Sequence, residues 1–451
     1  MGPALRSGRA RALRAARLWA AGVSLCVALV ACAPPPGSGV AGSPIAAPPA
    51  SPAPPPVSSA RPSAAETLFV PAGPGARAYA SSPAEVRRSA PPVDPLRGAI
   101  LDDARAAARR AGRTPPVGDV RLDWVMTDLA RNVRGDDLPA LEAVDFLLSY
   151  YGLPEPAPHL LLARATAGAD QQVRDQARAA TEALLRVGAI DRVGVGVERV
   201  GGDVYVAVGL QETHLDLLSP VPRHLPRGGR ASIGVRIDAG YRGPQLVVTA
   251  PDGTVHEDAP SAQASRLASE LRCGADGRYQ VEIAATGTAG PAVLANFPIY
   301  CGVDPPARSP RAAGTHPGAA DPDQAERQML ALVNRDRLRA GLRPVAADAR
   351  LAAIARAHSR DMVEHDFVGH VSPRTGTAMD RVRRAGLSPA LVMENVGRAY
   401  DADEAEDGFL SSPGHRGNLL DPHARLVGIG IVFGPVVTGT RPLFVTQLFT
   451  D

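Results

Sequence analysis

At 451 residues the chain is too long for one compact core, and two or three folded units are expected. All 49 basic residues are arginine, and with 44 Pro and 45 Gly the composition reflects a GC-rich coding bias. Without its first 31 residues the chain carries 44 basic against 46 acidic side chains, a net charge of −2, which excludes a general attraction for polyanions such as nucleic acid.

The N-terminus has the parts of an export signal: five arginines between Arg6 and Arg17, then an apolar run from Leu18 to Val30. That run is shorter than the ~20 apolar residues of a transmembrane span. It closes on Leu29-Val30-Ala31-Cys32, which resembles a bacterial lipobox. The resemblance implies cleavage of residues 1–31 and lipidation of Cys32, palmitate among the acyl groups, with firm membrane attachment because two acyl signals anchor where one does not. Ala33 follows Cys32, so the aspartate that retains lipoproteins at the inner membrane is absent. The expected location is the bacterial cell envelope, at the outer membrane or cell surface. Residues 32–95, rich in Pro, Ala and Ser, read as a disordered tether.

Residues 96–212 open with helical patterning at Ile100–Arg110 and Leu122–Arg131. They end in two strand-like runs, Arg192–Val197 and Val204–Val208, joined by Gly201-Gly202-Asp203. Residues 213–303 alternate in short strands with a Pro251-Asp252-Gly253 turn, the pattern of a small Ig-like β-sandwich. Cys273 and Cys301 lie within this unit. In an oxidising compartment they are read as a disulfide, closing a loop of about 28 residues and adding about 3 kcal/mol. A Pro/Gly/Ala linker, 304–321, leads to the last unit, 322–451.

The last unit begins with two amphipathic helices. In the second, Leu351, Ile354, Ala355, His358 and Met362 share one face at about 100° per residue. Two strands, Leu426–Val432 and Leu443–Phe449, close it, so an α-β-α layered domain is expected. Units one and three echo one another: Asp119-Val120-Arg121-Leu122 matches Asp348-Ala349-Arg350-Leu351, and Val193-Gly194-Val195-Gly196 matches Val427-Gly428-Ile429-Gly430.

Residues 326–450 resemble the CAP superfamily, in its bacterial SCP-like branch. The resemblance rests on Leu332-Val333-Asn334 with Arg337, Gly341-Leu342-Arg343-Pro344, Ala357–Met362, Phe367-Val368-Gly369-His370, Glu394-Asn395-Val396, Ser412–Leu420 and Gly428-Ile429-Gly430. By the same frame, 96–212 is a diverged CAP-like domain, with Leu129 standing where His358 stands. The resemblance implies a ligand cavity lined by His370, Glu394, Asn395 and His415, with His370 and His415 as metal ligands for a divalent cation, Zn²⁺ or Mg²⁺. The family's second acid has no clear counterpart here; Ser411 or Ser412 stands near its place, and Glu404 and Glu406 lie just upstream. Phe409 stands where a tryptophan is common.

His358 is expected to be a satisfied core histidine, His365 exposed, and Arg416 and Asn418 to tie down the loop after His415. No Gly-x-Ser-x-Gly elbow and no His-Glu-x-x-His occurs. Two functions stay open, beside a purely structural role in which the chain scaffolds other envelope proteins through its sandwich. One is a lipid-anchored binding module for a lipid, peptide or envelope polymer. The other is a metal-assisted hydrolase in which Glu394 is the catalytic general base. The membrane is the one partner the sequence names, through its N-terminal lipid.

Overall fold

The computed structural model describes residues 19–21, 69–82, 89–133, 138–139, 141–187, 190–258, 265–309, 313–314, 321–365, 367–435 and 441–451. Cys32 and most of the expected tether lie outside them.

The first unit runs α1 (Pro95–Arg110), β1 (Val117–Gly118), α2 (Val120–Asn132), α3 (Leu141–Tyr151), β2 (His159–Thr166), α4 (Asp170–Val187), β3 (Arg192–Val200) and β4 (Asp203–Gln211). Two helix starts are written in the sequence. Asp94 accepts from Leu96 N with Pro95 at the first position, and Asp119 accepts from Arg121 N. The sheet order is β2-β4-β3-β1, with β1 parallel to β3 and the other pairs antiparallel; Trp19–Ala21 adds antiparallel at the outer edge of β2.

The middle unit has β5 (Leu215–Leu217), β6 (His224–Leu225), β7 (Arg230–Ile237), β8 (Arg242–Thr249), β9 (Val255–Asp258), β10 (Arg266–Arg272), β11 (Gly277–Gly287) and β12 (Gly290–Cys301). They form a five-stranded sheet, β6-β12-β11-β8-β9, and a three-stranded one, β10-β7-β5. Both sheets feed one core, with Ile233 and Val235 from the second meeting Val281, Phe297 and Ile299 from the first. Cys273, just past β10, is bonded to Cys301 at the end of β12, so the disulfide staples one sheet to the other.

The last unit runs α5 (Pro322–Arg339), β13 (Ala346–Ala347), α6 (Ala349–Glu364), α7 (Ala378–Arg384), β14 (Val392–Ala399), α8 (Ala402–Ser411), α9 (Pro413–Leu419), β15 (Leu426–Phe433) and β16 (Leu443–Thr450). Its sheet, β14-β16-β15-β13, repeats the first unit's order, again with one parallel pair at the short-strand edge. Val427, Ile429 and Ile431 face α5 and α8, and the alternate residues Gly428 and Gly430 face α6. A Cβ on Gly430 would come within 2.1 Å of the Arg356 backbone, so α6 lies directly on β15. Gly196 does the same for α2, where a Cβ would meet the Met126 backbone at 2.2 Å. Among the described residues no helix is long and apolar enough to cross a membrane.

The expected tether ends sooner than residue 95. Residues 69–82 are packed: Ala78–Tyr79 pairs antiparallel with Val221–Pro222, and Phe69 bridges Ser309, which is itself buried within the expected 304–321 linker. The Tyr79 hydroxyl donates to Pro298 O at 2.6 Å and lies 2.8 Å from Ser149 Oγ. Two large apolar side chains, Phe69 and Tyr79, bury enough surface to offset the ordering of a stretch whose average composition argues against it.

Candidate functional site

The site is organised by β14, which among the described residues is an edge strand paired with β16 alone. Successive residues of a strand face opposite sides, so Glu394 and Asn395 gather separate sets of partners.

On one side, Glu394 Oε1 meets His370 Nδ1 at 2.9 Å, and the Arg381 guanidinium donates to Oε2. Arg381 comes from α7, whose start is fixed by a Thr377–Asp380 capping box, and it also donates to Gly376 O at 2.7 Å and His370 O at 3.2 Å. Burial alone would push the Glu394 carboxyl up, but the positive charge of Arg381 and the neighbouring imidazoles outweigh it and hold the group down at about 2. His358, on the core face of α6, bonds Gly369 O through Nε2 at 2.9 Å, and its buried Nδ1 has no partner among the described residues. It is therefore only half satisfied, and burial depresses its pKa.

On the other side, Asn395 Nδ2 donates to His415 O at 3.2 Å and to Gln447 Oε1 at 3.0 Å, and Asn418 Nδ2 donates to Asn395 Oδ1 at 3.0 Å and Glu394 O at 3.1 Å. Asn418 thus fixes α9 to β14. Arg416 holds no such tie and points elsewhere. Glu406 accepts from Gln447 Nε2 at 2.9 Å and is pushed up to about 8 by burial, while Glu404 accepts from Tyr400 N at 2.6 Å. His365 is exposed, as expected, between Asp361 and Arg374.

The acid at His415 comes from another unit. Ser412 Oγ lies 2.9 Å from His415 Nδ1 and donates to Glu282 Oε2 at 2.5 Å, and Gly414 N donates to Glu282 Oε1 at 3.2 Å. Glu282 stands on β11 of the sandwich, and Glu282, Ser412 and His415 are all 0% exposed. Burial raises Glu282 to about 7 against the pull of those two bonds. Sequence reasoning missed it. In Tyr279-Gln280-Val281-Glu282-Ile283 the alternation puts Glu282 on the face away from the sandwich core, which reads as solvent; in fact the last unit covers that face. Ser412, closed in between an acid and an imidazole, presents no nucleophile.

The β11–β12 hairpin also closes over the His370 loop. Val371 N donates to Ala289 O at 3.0 Å, and a Cβ on Gly290 would meet His370 Cβ at 3.2 Å. Ala292 packs on Met362, Val396 and Phe444. The residues expected to line an open cavity are buried beneath the sandwich: His370 is 4% exposed and Glu394 1%.

These groups do not fit a divalent cation. Both Glu394 oxygens are engaged, one of them by a guanidinium that already compensates the carboxylate and repels a second positive charge. Among the described residues no group of three or more His, Cys, Asp or Glu is placed to hold an ion.

Residues 330–449 match the family model described as the cysteine-rich secretory protein family, CAP. The C-terminal unit is a CAP domain. Two Bacillus subtilis (strain 168) proteins resemble this part of the chain: uncharacterized protein YkwD, 32% identical over 108 residues, and uncharacterized membrane protein YlbC, 34% identical over 108 residues. The match covers 24% of this chain in each case, but only 42% and 31% of the respective relatives. Among solved structures, an extracellular SCP-domain protein from Bacillus anthracis str. Ames is 24% identical over 41% of this chain and 64% of its own, with a TM-score of 0.26. An outer surface protein from Borrelia burgdorferi is 18% identical over 30% of this chain and 98% of its own, also with a TM-score of 0.26. The CAP domain here carries its His370–Glu394 pair with Arg381, and its His415 with an acid from the sandwich.

Proposed function

We propose that this chain is an envelope lipoprotein, anchored through Cys32, whose sandwich and CAP domain together form a ligand-binding module. The observation that carries the reading is the state of Glu394: its carboxylate is neutralised by Arg381, bonded to His370 and sealed under the β11–β12 hairpin. A general base must reach the proton it takes, and a hydrolytic metal needs free donors and an open position. Neither requirement is met by these groups, whereas a rigid, cross-linked scaffold suits binding. The first unit supports the same reading. It repeats the CAP sheet order, so we take it as a diverged copy, and it carries Leu129 where the CAP domain carries His358. The Bacillus subtilis relative described as a membrane protein agrees with attachment to a membrane.

The test uses the full chain in detergent. Titration calorimetry with ZnCl₂ is expected to show no stoichiometric site, and co-sedimentation with purified sacculi or phosphatidylglycerol vesicles is expected to survive EDTA. Tight one-to-one zinc binding, with ester or peptide turnover abolished by His415→Ala, would replace this reading with the hydrolase. In cells, Cys32→Ser is expected to move the protein from the membrane fraction to the soluble one.

A further inference from the structure

The sandwich and the CAP domain also meet along a second feature, next to the buried Glu282–Ser412–His415 contact. A cleft of about 290 Å³ opens between β8 and β11 on one side and the α8–α9 junction on the other. Its walls include Arg278, Gln280, Leu410, Ser411 and Arg416, and no carboxylate lines it. Arg416 adjoins His415 in sequence, but its side chain leads into this cleft. Its guanidinium lies against the β8–β9 turn, where a Cβ on Gly253 would come within 3.0 Å of Nη2.

Arg416 differs from the buried arginines elsewhere among the described residues. The buried ones each hold acceptors: Arg121 on Asp119, Arg192 on Glu155, Arg381 on Glu394, and Arg223 and Arg337 on backbone carbonyls. Arg416 is half-buried, its Nε is buried without a partner, and it makes no ion pair among the described residues. Burial lowers its pKa, with Asp336 opposing from a distance. Arg278 is exposed on the opposite wall and donates to the neutral Gln280 at 2.6 Å, while Asp145, which does not line the cleft, feels its charge. A half-buried cation facing a second cation across a cleft lined by no carboxylate is costly unless an anion completes it. Ligand sites also favour interfaces between folded units.

We propose that this cleft binds a phosphate group, carried by a compact polar molecule such as a glycerol phosphate, between Arg278 and Arg416. Two guanidinium groups can each engage separate oxygens of one phosphate, whereas a single carboxylate has only two oxygens to share. The volume is large enough for a headgroup-sized ligand. This assignment rests on the binding reading above and supplies its ligand class.

The experiment is calorimetry of the full chain in detergent with inorganic phosphate and with glycerol 3-phosphate, repeated on Arg278→Gln, Arg416→Gln and a control, Arg343→Gln, which does not line the cleft. Arg278 is exposed, so its variant folds even if the Arg416 variant does not, and circular dichroism checks both. The expected result is saturable binding that falls roughly tenfold or more for each cleft variant, from the loss of charge-assisted hydrogen bonds, and is unchanged in the control. No binding of either phosphate, or equal binding by folded Arg278→Gln, overturns the proposal. Vesicles of phosphatidylglycerol and of phosphatidylcholine separate the ligand's sources. A preference for phosphatidylglycerol that Arg278→Gln removes indicates a headgroup, and binding of the free esters alone indicates a soluble or polymer-borne phosphate. Sacculus or vesicle co-sedimentation that persists without phosphate binding sinks the cleft and leaves the binding module. Phosphate binding without co-sedimentation keeps the cleft and removes the envelope-binding reading.

Discussion

Replacing Glu282 with Gln isolates the contact between the sandwich and the CAP domain. Glu282 is fully buried, and among the described residues its bonded donors are Ser412 Oγ and Gly414 N alone, with no cation compensating it. Its folded-state pKa is about 7 against 4.5 when unfolded. A carboxyl raised in this way favours folding fully below the unfolded value and loses that contribution as pH climbs toward the folded value. The gap corresponds to about 3 kcal/mol. Gln mimics the protonated acid in shape and hydrogen bonding and does not titrate. The stability of Glu282→Gln relative to the parent is therefore expected to rise by about 3 kcal/mol between roughly pH 4.5 and pH 7.5, then level off. Urea denaturation of both proteins at matched pH, followed by tryptophan fluorescence and circular dichroism, reads this difference. Glu406, Asp123 and Asp145, which burial also raises, cancel in the comparison. Parallel pH profiles would refute the claim that Glu282 is buried uncompensated against Ser412.

Arg381→Ala leaves the Glu394 carboxylate buried with only an imidazole beside it, and is expected to cost about 3–5 kcal/mol. Adding Glu394→Gln should restore much of that loss, measured as a double-mutant cycle by urea denaturation. Gly430→Ala is expected to destabilise the CAP domain by at least about 2 kcal/mol, because its methyl meets α6 backbone rather than a movable side chain; a neutral substitution in thermal unfolding would mean that α6 does not lie on β15. Cys273→Ser with Cys301→Ser, or dithiothreitol on the parent, should lower sandwich stability by about 3 kcal/mol in the chain-entropy model, and non-reducing mass mapping should recover the Cys273–Cys301 peptide.

Much of the CAP domain's layering was legible in the sequence. The matched Asp119 and Asp348 stretches and the Gly-x-Gly strands are local or periodic signals, and they encode the same helix-on-strand contact twice. The Cys273–Cys301 pairing followed from there being two candidates in one unit. His370 and Glu394 were named from motif, and they are bonded. Arg381 was not, because the stretch Met379-Asp380-Arg381-Val382-Arg383 looks like an exposed helical face; only the fold turns one of those arginines inward.

What the chain's own pattern determined is which face of each element is apolar and where each element begins, because capping and periodicity act over a few residues. It could not determine what covers the other face. Glu282, polar on a strand that alternates, becomes a buried acid only because a second unit packs there. Phe69 and Tyr79 order part of a proline-rich stretch only because the first unit's core receives the one and the sandwich the other. Such outcomes depend on contacts between residues more than a hundred positions apart, and on desolvation that exists only once those surfaces have met.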